Sequence, residues 1–259
     1  MPADLPEDFH PAIVRWFREK FGEPTEPQRR GWPLISRGAN TLILAPTGSG
    51  KTLAAFLAGI NRVLCDLDDA ARPRTRCDYQ RRNDSTDAGV FQCGQEDASA
   101  AQDRAGSAQD CSGRRGVEIL YVSPLKALNY DIERNLSEPL REIRQTAAAM
   151  GMPLPEITIA VRTGDTSAEE RRRMARRPPH ILITTPESLH IMLTSAARRT
   201  LETVRYLILD EIHSLSPNKR GVLLSVLVER LESICLAPPV RIGLSATQKP
   251  LEEAARFLG

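Results

Sequence analysis

The clearest chemical signature in the chain is LILAPTGSGKTLAAF, residues 42–56. A short apolar run ends in a bend containing Gly48 and Gly50, and Lys51-Thr52 then opens a run of helical period. Glycines let the backbone curl until consecutive N–H groups aim at one anion. A helix beginning near Lys51 adds its positive N-terminal end. The phosphate-loop pattern is G-x-x-x-x-G-K-[ST], and here Ala45 stands in the place of its first glycine. The stretch predicts a nucleotide-phosphate site built from Thr47, Gly48, Ser49, Gly50, Lys51 and Thr52. Lys51 is expected at the β- and γ-phosphates, and the Thr52 hydroxyl on Mg2+.

Nucleotide hydrolysis needs a further acid to hold the metal and orient water. YLILDEIHSL supplies Asp210 and Glu211 directly after an apolar strand-like run, Tyr206 to Leu209. Ligands of open α/β sheets bind at the carboxyl ends of strands. Asp210 is therefore expected to hold Mg2+ and Glu211 to activate the attacking water.

These groups need a scaffold, and the hydrophobic pattern describes one. Short β-branched runs occur at 41–45, 117–122, 157–161, 181–185, 204–210 and 240–245. Runs that are apolar throughout are the mark of strands covered on both faces. Helical patterns at 51–65, 125–148, 186–194 and 221–235 separate them. The alternation predicts an α/β fold, a parallel sheet with helices on both faces and right-handed crossovers. The interruption is 66–115, which is rich in Asp, Arg, Ser, Ala, Gln and Gly and has few large apolar residues. Such a composition does not bury enough surface to offset its ordering entropy, so a disordered insert is expected there. A regulatory or nucleic-acid-contacting role for its arginines is left open.

Bulk properties narrow the class. The chain has 259 residues, 41% hydrophobic, with 35 basic and 33 acidic side chains and a net charge of +2. Any basic surface must therefore come from local arrangement. No apolar run approaches the ~20 residues that span a bilayer, and the acidic, Pro-rich start MPADLPEDFHP is unlike a signal peptide. The five cysteines form no C-x-x-C pair, so neither a zinc knuckle nor a disulfide framework is encoded. A soluble cytoplasmic protein without membrane contact is expected.

Taken in order, the motifs resemble those of superfamily 2 helicases. Asp210-Glu211-Ile212-His213 is similar to their D-E-x-H box. SPLKAL (123–128), TTPESL (184–189) and SAT (245–247) resemble motifs Ia, Ib and III, and EPTEPQ (23–28) the Q motif. More narrowly, YVSPLKALNYDIERNL, RTGDTSAEERRRM, PPHILITTPESL and DEIHSLSPNKRG resemble the large helicase-related (Lhr) family of ATP-dependent DNA helicases.

The resemblance implies the P-loop NTPase, RecA-like fold and ATP as the nucleotide, with the Gln28 amide at the adenine edge. It implies that His213, Ser245 and Thr247 couple the nucleotide site to a single strand of DNA or RNA. It also implies that Pro124, Lys126, Thr163, Gly164, Thr185 and Pro186 grip that strand's backbone, which amides, hydroxyls and a lysine do without reading sequence. The basic run RRRMARR (171–177) lies next to them, as a phosphate contact or a solvated helix face. A DNA-repair setting is implied as well.

The whole of 1–259 is expected to be the first RecA-like domain, with 1–36 as the Q-motif region. After Thr247 only twelve residues remain, so the second RecA-like domain, with the arginines that complete the ATP site, is expected to be missing. Three other readings stay open: an RNA-dependent ATPase or RNA helicase, a non-catalytic nucleotide-gated binding module, and a small-molecule kinase. The last shares the phosphate loop but leaves the other motifs unexplained.

Overall fold

The β-branched runs become six short strands: β1 (Thr41–Leu44), β2 (Ile119–Val122), β3 (Ile159–Arg162), β4 (Ile181–Thr184), β5 (Tyr206–Leu209) and β6 (Val240–Ser245). They form one sheet in the order β1-β6-β5-β2-β4-β3, and every pairing is parallel. Parallel neighbours need crossovers of a dozen or more residues. In the described chain these run through α3 (Lys51–Ala71), α4 (Lys126–Ala149), α5 (Ala168–Arg176), α6 (Pro186–Leu193) with a 3-10 helix at Ala196–Leu201, and α7 (Lys219–Glu232), after two N-terminal helices, α1 (Pro11–Phe21) and α2 (Glu26–Ser36). The computed structural model describes residues 5–46, 48–71, 116–124, 126–212 and 219–245, with 70–71 and 126–128 as backbone only.

Both faces of the sheet are covered, as its largely apolar strands require. On one face Ile43, Ile119, Tyr121, Ile183 and Ile208 pack with Phe56, Leu57 and Ile60 of α3 and Ile143 of α4. On the other, Leu120, Val122, Leu182, Leu207 and Leu209 pack with Leu189 and Met192 of α6 and Leu224, Leu227 and Val228 of α7. Burying each such side chain is worth about 1.5–3 kcal/mol, so the two layers hold the strand ends rigidly in register. The first face also takes α1 and α2. Trp32 meets Phe9 and Phe17 at ring distances of 5.4 and 5.3 Å, and Trp16 Nε1 donates to Glu142 on α4 at 2.7 Å.

Several boundaries differ from the sequence pattern by a few residues, and two of them bear on the regions discussed below. The helix expected over 51–65 continues to Ala71, so the first residues of the expected insert are helical. This part of α3 is tied to the sheet edge: Arg205, beside β5, pairs with Asp66 of α3 and with Glu118 beside β2. Burial works against the Arg205 charge, but these carboxylates hold its pKa above the ordinary value. The rest of the expected insert, 72–115, lies outside the described residues. The other difference is β3, which ends at Arg162 rather than at Val161 because its ladder with β4 extends to the pair Arg162 and Thr184.

Candidate functional site

Strand order divides the predicted site residues between two halves of one sheet edge. β1, β6 and β5 carry the nucleotide candidates at their carboxyl ends, and β2, β4 and β3 carry the strand-contacting ones. The halves meet where β5 pairs with β2.

In the first half, the chain leaves β1 through Ala45, whose N–H donates to the Ser245 carbonyl of β6 at 3.3 Å. Gly48 and Gly50 take φ values of 80° and 83°, the left-handed region that side chains avoid. Ser49 N–H donates to Pro46 O at 3.3 Å, closing the bend. Lys51 opens α3 and its Nζ donates to the Ala45 carbonyl, so the ammonium is folded over the loop. Ser49 Oγ is fully enclosed and has no hydrogen-bond partner among the described residues. An enclosed hydroxyl without a partner is costly, and an oxygen of a bound phosphate is the kind of acceptor this cradle lacks.

Gln28 is buried behind the loop. Its Oε1 accepts the Thr25 N–H at 2.9 Å, half of a capping box that starts α2, and its Nε2 reaches the Gly50 carbonyl at 3.5 Å. Both ends of the carboxamide are thus engaged within the protein. A Cβ on Gly50 would lie 2.7 Å from Gln28 Nε2. The glutamine and this glycine therefore require each other's shape.

Asp210 follows β5 and is buried. Its Oδ1 accepts the Glu211 N–H at 2.8 Å, and its Oδ2 accepts the hydroxyl of Tyr121. Tyr121 is a β2 residue that the sequence reading passed over as one apolar position among several. It is fully buried and stacked on Phe56 of α3 at 5.3 Å. Burial, and then the Asp210 charge, push its phenol far above the ordinary value, so it acts as a permanent donor. Glu211 has φ 52°, and it is the non-glycine residue with positive φ among the described residues. Such a backbone costs on the order of 1 kcal/mol and marks the turn where the strand's acid pair leaves the sheet.

In the second half, Pro124 follows β2 and is buried, and α4 begins at Lys126. Thr185 caps α6, its hydroxyl accepting the Ser188 N–H at 3.4 Å, with Pro186 in the first turn. Thr163 is buried inside its own turn: its N–H donates to Thr166 Oγ1 at 2.9 Å and its Oγ1 accepts the Asp165 N–H at 3.3 Å. Gly164 is exposed, and its carbonyl accepts Arg171 Nη2 at 2.8 Å. Arg171 is the first arginine of the basic run, and none of the residues of α5 is buried. Arg220 of α7 joins two of these loops, donating to the Pro124 carbonyl at 3.0 Å and pairing with Glu187 of α6 at 2.7 Å. An arginine after an acid box carries no sequence signal for such a bridge.

The structure therefore brings Gln28, Gly48, Ser49, Gly50, Lys51, Thr52, Asp210, Glu211 and Ser245 to one half of the edge, and Pro124, Thr163, Gly164, Thr185 and Pro186 to the other. Thr47, His213, Thr247 and the side chain of Lys126 lie outside the described residues.

Known proteins resemble this chain in sequence and in fold. The DEAD/DEAH box helicase family model matches residues 25–254. The chain is 46% identical over 248 residues to the "Lhr helicase/ probable uracil glycosylase" of Mycolicibacterium smegmatis, covering 95% of this chain and 14% of that protein. It is 47% identical over 247 residues to "ATP-dependent helicase Lhr-Core protein 2" of Thermococcus barophilus, covering 95% and 24%. It thus spans a quarter or less of these relatives. The structure of Mycobacterium smegmatis helicase Lhr bound to ssDNA and AMP-PNP superposes with a TM-score of 0.77 at 43% identity, covering 98% of this chain and 27% of that one. The DEAD-box helicase Mss116, at 16% identity and a TM-score of 0.66, shares the fold, covering 97% of this chain and 42% of its own. With its all-parallel RecA-like sheet and with the phosphate loop, acid pair and enclosed tyrosine meeting at one edge, the chain belongs to the DEAD/DEAH box helicase family.

Proposed function

We propose that residues 1–259 are the ATP-binding and ATP-hydrolysing first RecA-like domain of an Lhr-type DNA helicase that moves along single-stranded nucleic acid. The observation that carries this reading is the phosphate loop, with Lys51 resting on a backbone carbonyl and Ser49 Oγ enclosed without a partner among the described residues. That cradle fits a triphosphate. Gly48 to Thr52 would hold its oxygens by backbone N–H, ammonium and hydroxyl groups. Thr52 and Asp210 would hold Mg2+, which supplies charge neutralisation when bound. Glu211 would take the proton of the attacking water. Adenine recognition by Gln28 would exchange the long 3.5 Å contact to Gly50 for the base and leave the capping contact intact.

The strand would run along the second half, past Pro124, Lys126, Thr163-Gly164 and Thr185-Pro186. His213, Ser245 and Thr247 would couple it to the nucleotide. A second RecA-like domain would close over this edge and supply the arginines that stabilise charge on the transferring phosphoryl group, an effect of about 10³–10⁵ in rate.

The test is calorimetry with ATP, with and without Mg2+, on the wild type, Lys51→Ala and Glu211→Gln. Lys51→Ala should weaken binding at least about tenfold, since a charge-assisted contact is lost. Glu211→Gln should bind normally and lose turnover. Equal affinity of wild type and Lys51→Ala would remove the nucleotide site. Turnover retained in Glu211→Gln would reassign the base.

A further inference from the structure

Among the described residues two arginines are buried, Arg241 at 9% exposure and Arg162 at 8%. Arg241 has the surroundings that a buried cation requires. Its Nη2 pairs with Glu229 at 3.0 Å and also with Glu232. Arg162 has no carboxylate partner and no side-chain hydrogen bond among the described residues. The charged group that acts on it is another cation, Arg171. Burial, and then that like charge, lower the Arg162 pKa, whereas at Arg241 the carboxylates outweigh burial and raise it.

An unpaired buried guanidinium works against folding, so its retention asks for an anion that is not part of the protein. Its position suggests the source. Arg162 ends the edge strand β3, level with Thr184 of β4, whose hydroxyl donates to the Arg162 carbonyl at 2.7 Å. Alternation along the strand places it on the sheet face that carries Leu182 rather than on the face of Val161. Thr163-Gly164 follows directly, and Arg171 is tethered to Gly164 O. Arg162 keeps 8% of its surface exposed, which leaves an anion a way to it.

We propose that Arg162, with Arg171 beside it, forms a binding site for one internucleotide phosphate of the bound strand. The proposal deepens the function given above and rests on it for the identity of the ligand. The guanidinium presents paired N–H donors that match phosphate oxygens. The Thr163 hydroxyl accepts the Asp165 N–H and keeps its O–H to donate, so the arginine would add a charged contact beside that of the threonine. Because the contact is to phosphate, it should serve DNA and RNA alike.

The experiment measures Tm without ligand and anisotropy of labelled dT12 and rU12 at several salt concentrations, for the wild type, Arg162→Met and Arg162→Lys. A residue kept for its ligand should be dispensable to the fold. Arg162→Met is expected to melt about 2–4 °C higher, bind both strands more weakly, and lower the slope of log K against log salt by about 1. Arg162→Lys should keep that slope. A lower Tm or loss of folding in Arg162→Met would show a structural arginine and overturn the proposal, as would an unchanged slope.

If the wild type binds neither strand, the strand-translocating function falls rather than this site. The site is then read by thermal shift with tripolyphosphate in Lys51→Ala, where the nucleotide loop is disabled. Stabilisation that disappears in Lys51→Ala/Arg162→Met supports an anion site at Arg162, and equal stabilisation of both variants overturns it.

Discussion

The hydroxyl of Tyr121 on β2 donates its hydrogen bond to the carboxylate of Asp210 at the end of β5. This bond crosses the seam between the half of the sheet that carries the phosphate loop and the half that carries the loops after β2, β4 and β3. Arg220 makes a second tie across the seam, linking the helix after the acid pair to Pro124 and Glu187. A shift of Asp210 would therefore act on β2 through this bond.

Removing the Tyr121 hydroxyl should loosen Asp210 without dismantling the core, because phenylalanine keeps the stack on Phe56. Groups that orient a metal-holding side chain are worth about 10–100-fold in metal affinity. Tyr121→Phe should raise the Mg2+ concentration needed for half-maximal ATP binding by about tenfold, with nucleotide affinity in EDTA unchanged. Titration of Mg2+ at fixed ATP reads both, and an unaltered Mg2+ midpoint would reduce Tyr121 to a packing residue.

Gly48 and Gly50 separate two effects of adding a methyl group. Both have φ near +80°, but a Cβ on Gly48 meets nothing within 4 Å, whereas one on Gly50 lies 2.7 Å from Gln28 Nε2 and 3.2 Å from Thr25 Oγ1. Gly48→Ala should cost the left-handed strain alone, about 1–2 kcal/mol. Gly50→Ala should cost measurably more, because the start of α2 must also shift. Urea unfolding without nucleotide compares them, and equal midpoints would mean that the Gln28 contact is slack.

Glu142 gives a pH dependence whose sign is fixed by its partners. Lys20 Nζ at 2.7 Å and then Trp16 Nε1 at 2.7 Å hold its pKa below the ordinary 4.5. A carboxylate with a depressed folded pKa stabilises the fold above its unfolded pKa and loses that contribution as pH falls through the folded one. Attachment of α1 to α4 should therefore be intact near pH 6 and weaken below about pH 4.5. The pair is partly solvated, so the contribution is about 1 kcal/mol or less. Trp fluorescence of wild type and Glu142→Gln from pH 7 to 3 checks it: the mutant should lack the acid-side transition assigned to Glu142.

The amino-acid sequence by itself determined the fold class and the Gly-rich bend between β1 and α3. Six short, mostly apolar runs point to a sheet covered on both faces, and Gly48, Gly50, Lys51 and Thr52 sit within a few residues of one another, so local spacing suffices to place them in one bend. Asp210 and Glu211 were legible for the same reason, as an acid pair directly after an apolar run.

Contacts between residues far apart in the chain were decided only by tertiary structure. Tyr121 reads as one more apolar strand residue until the parallel register of β2 with β5 sets it beside Asp210. Asp66 near the end of α3 pairs with Arg205, 139 residues away, and no local propensity encodes that ion pair. Gln28 could be singled out from its motif, yet its capping of α2 and its fit to Gly50 emerge only when α2 lies against the phosphate loop. Arg162 is the sharpest case. An arginine at a strand end is an ordinary solvated charge in sequence, and becomes a buried cation without an acid only once β3 is paired with β4 and followed by the turn that brings Arg171 beside it. Periodicity encodes which face of an element is apolar, whereas the partner of a charge is set by which elements the chain packs side by side.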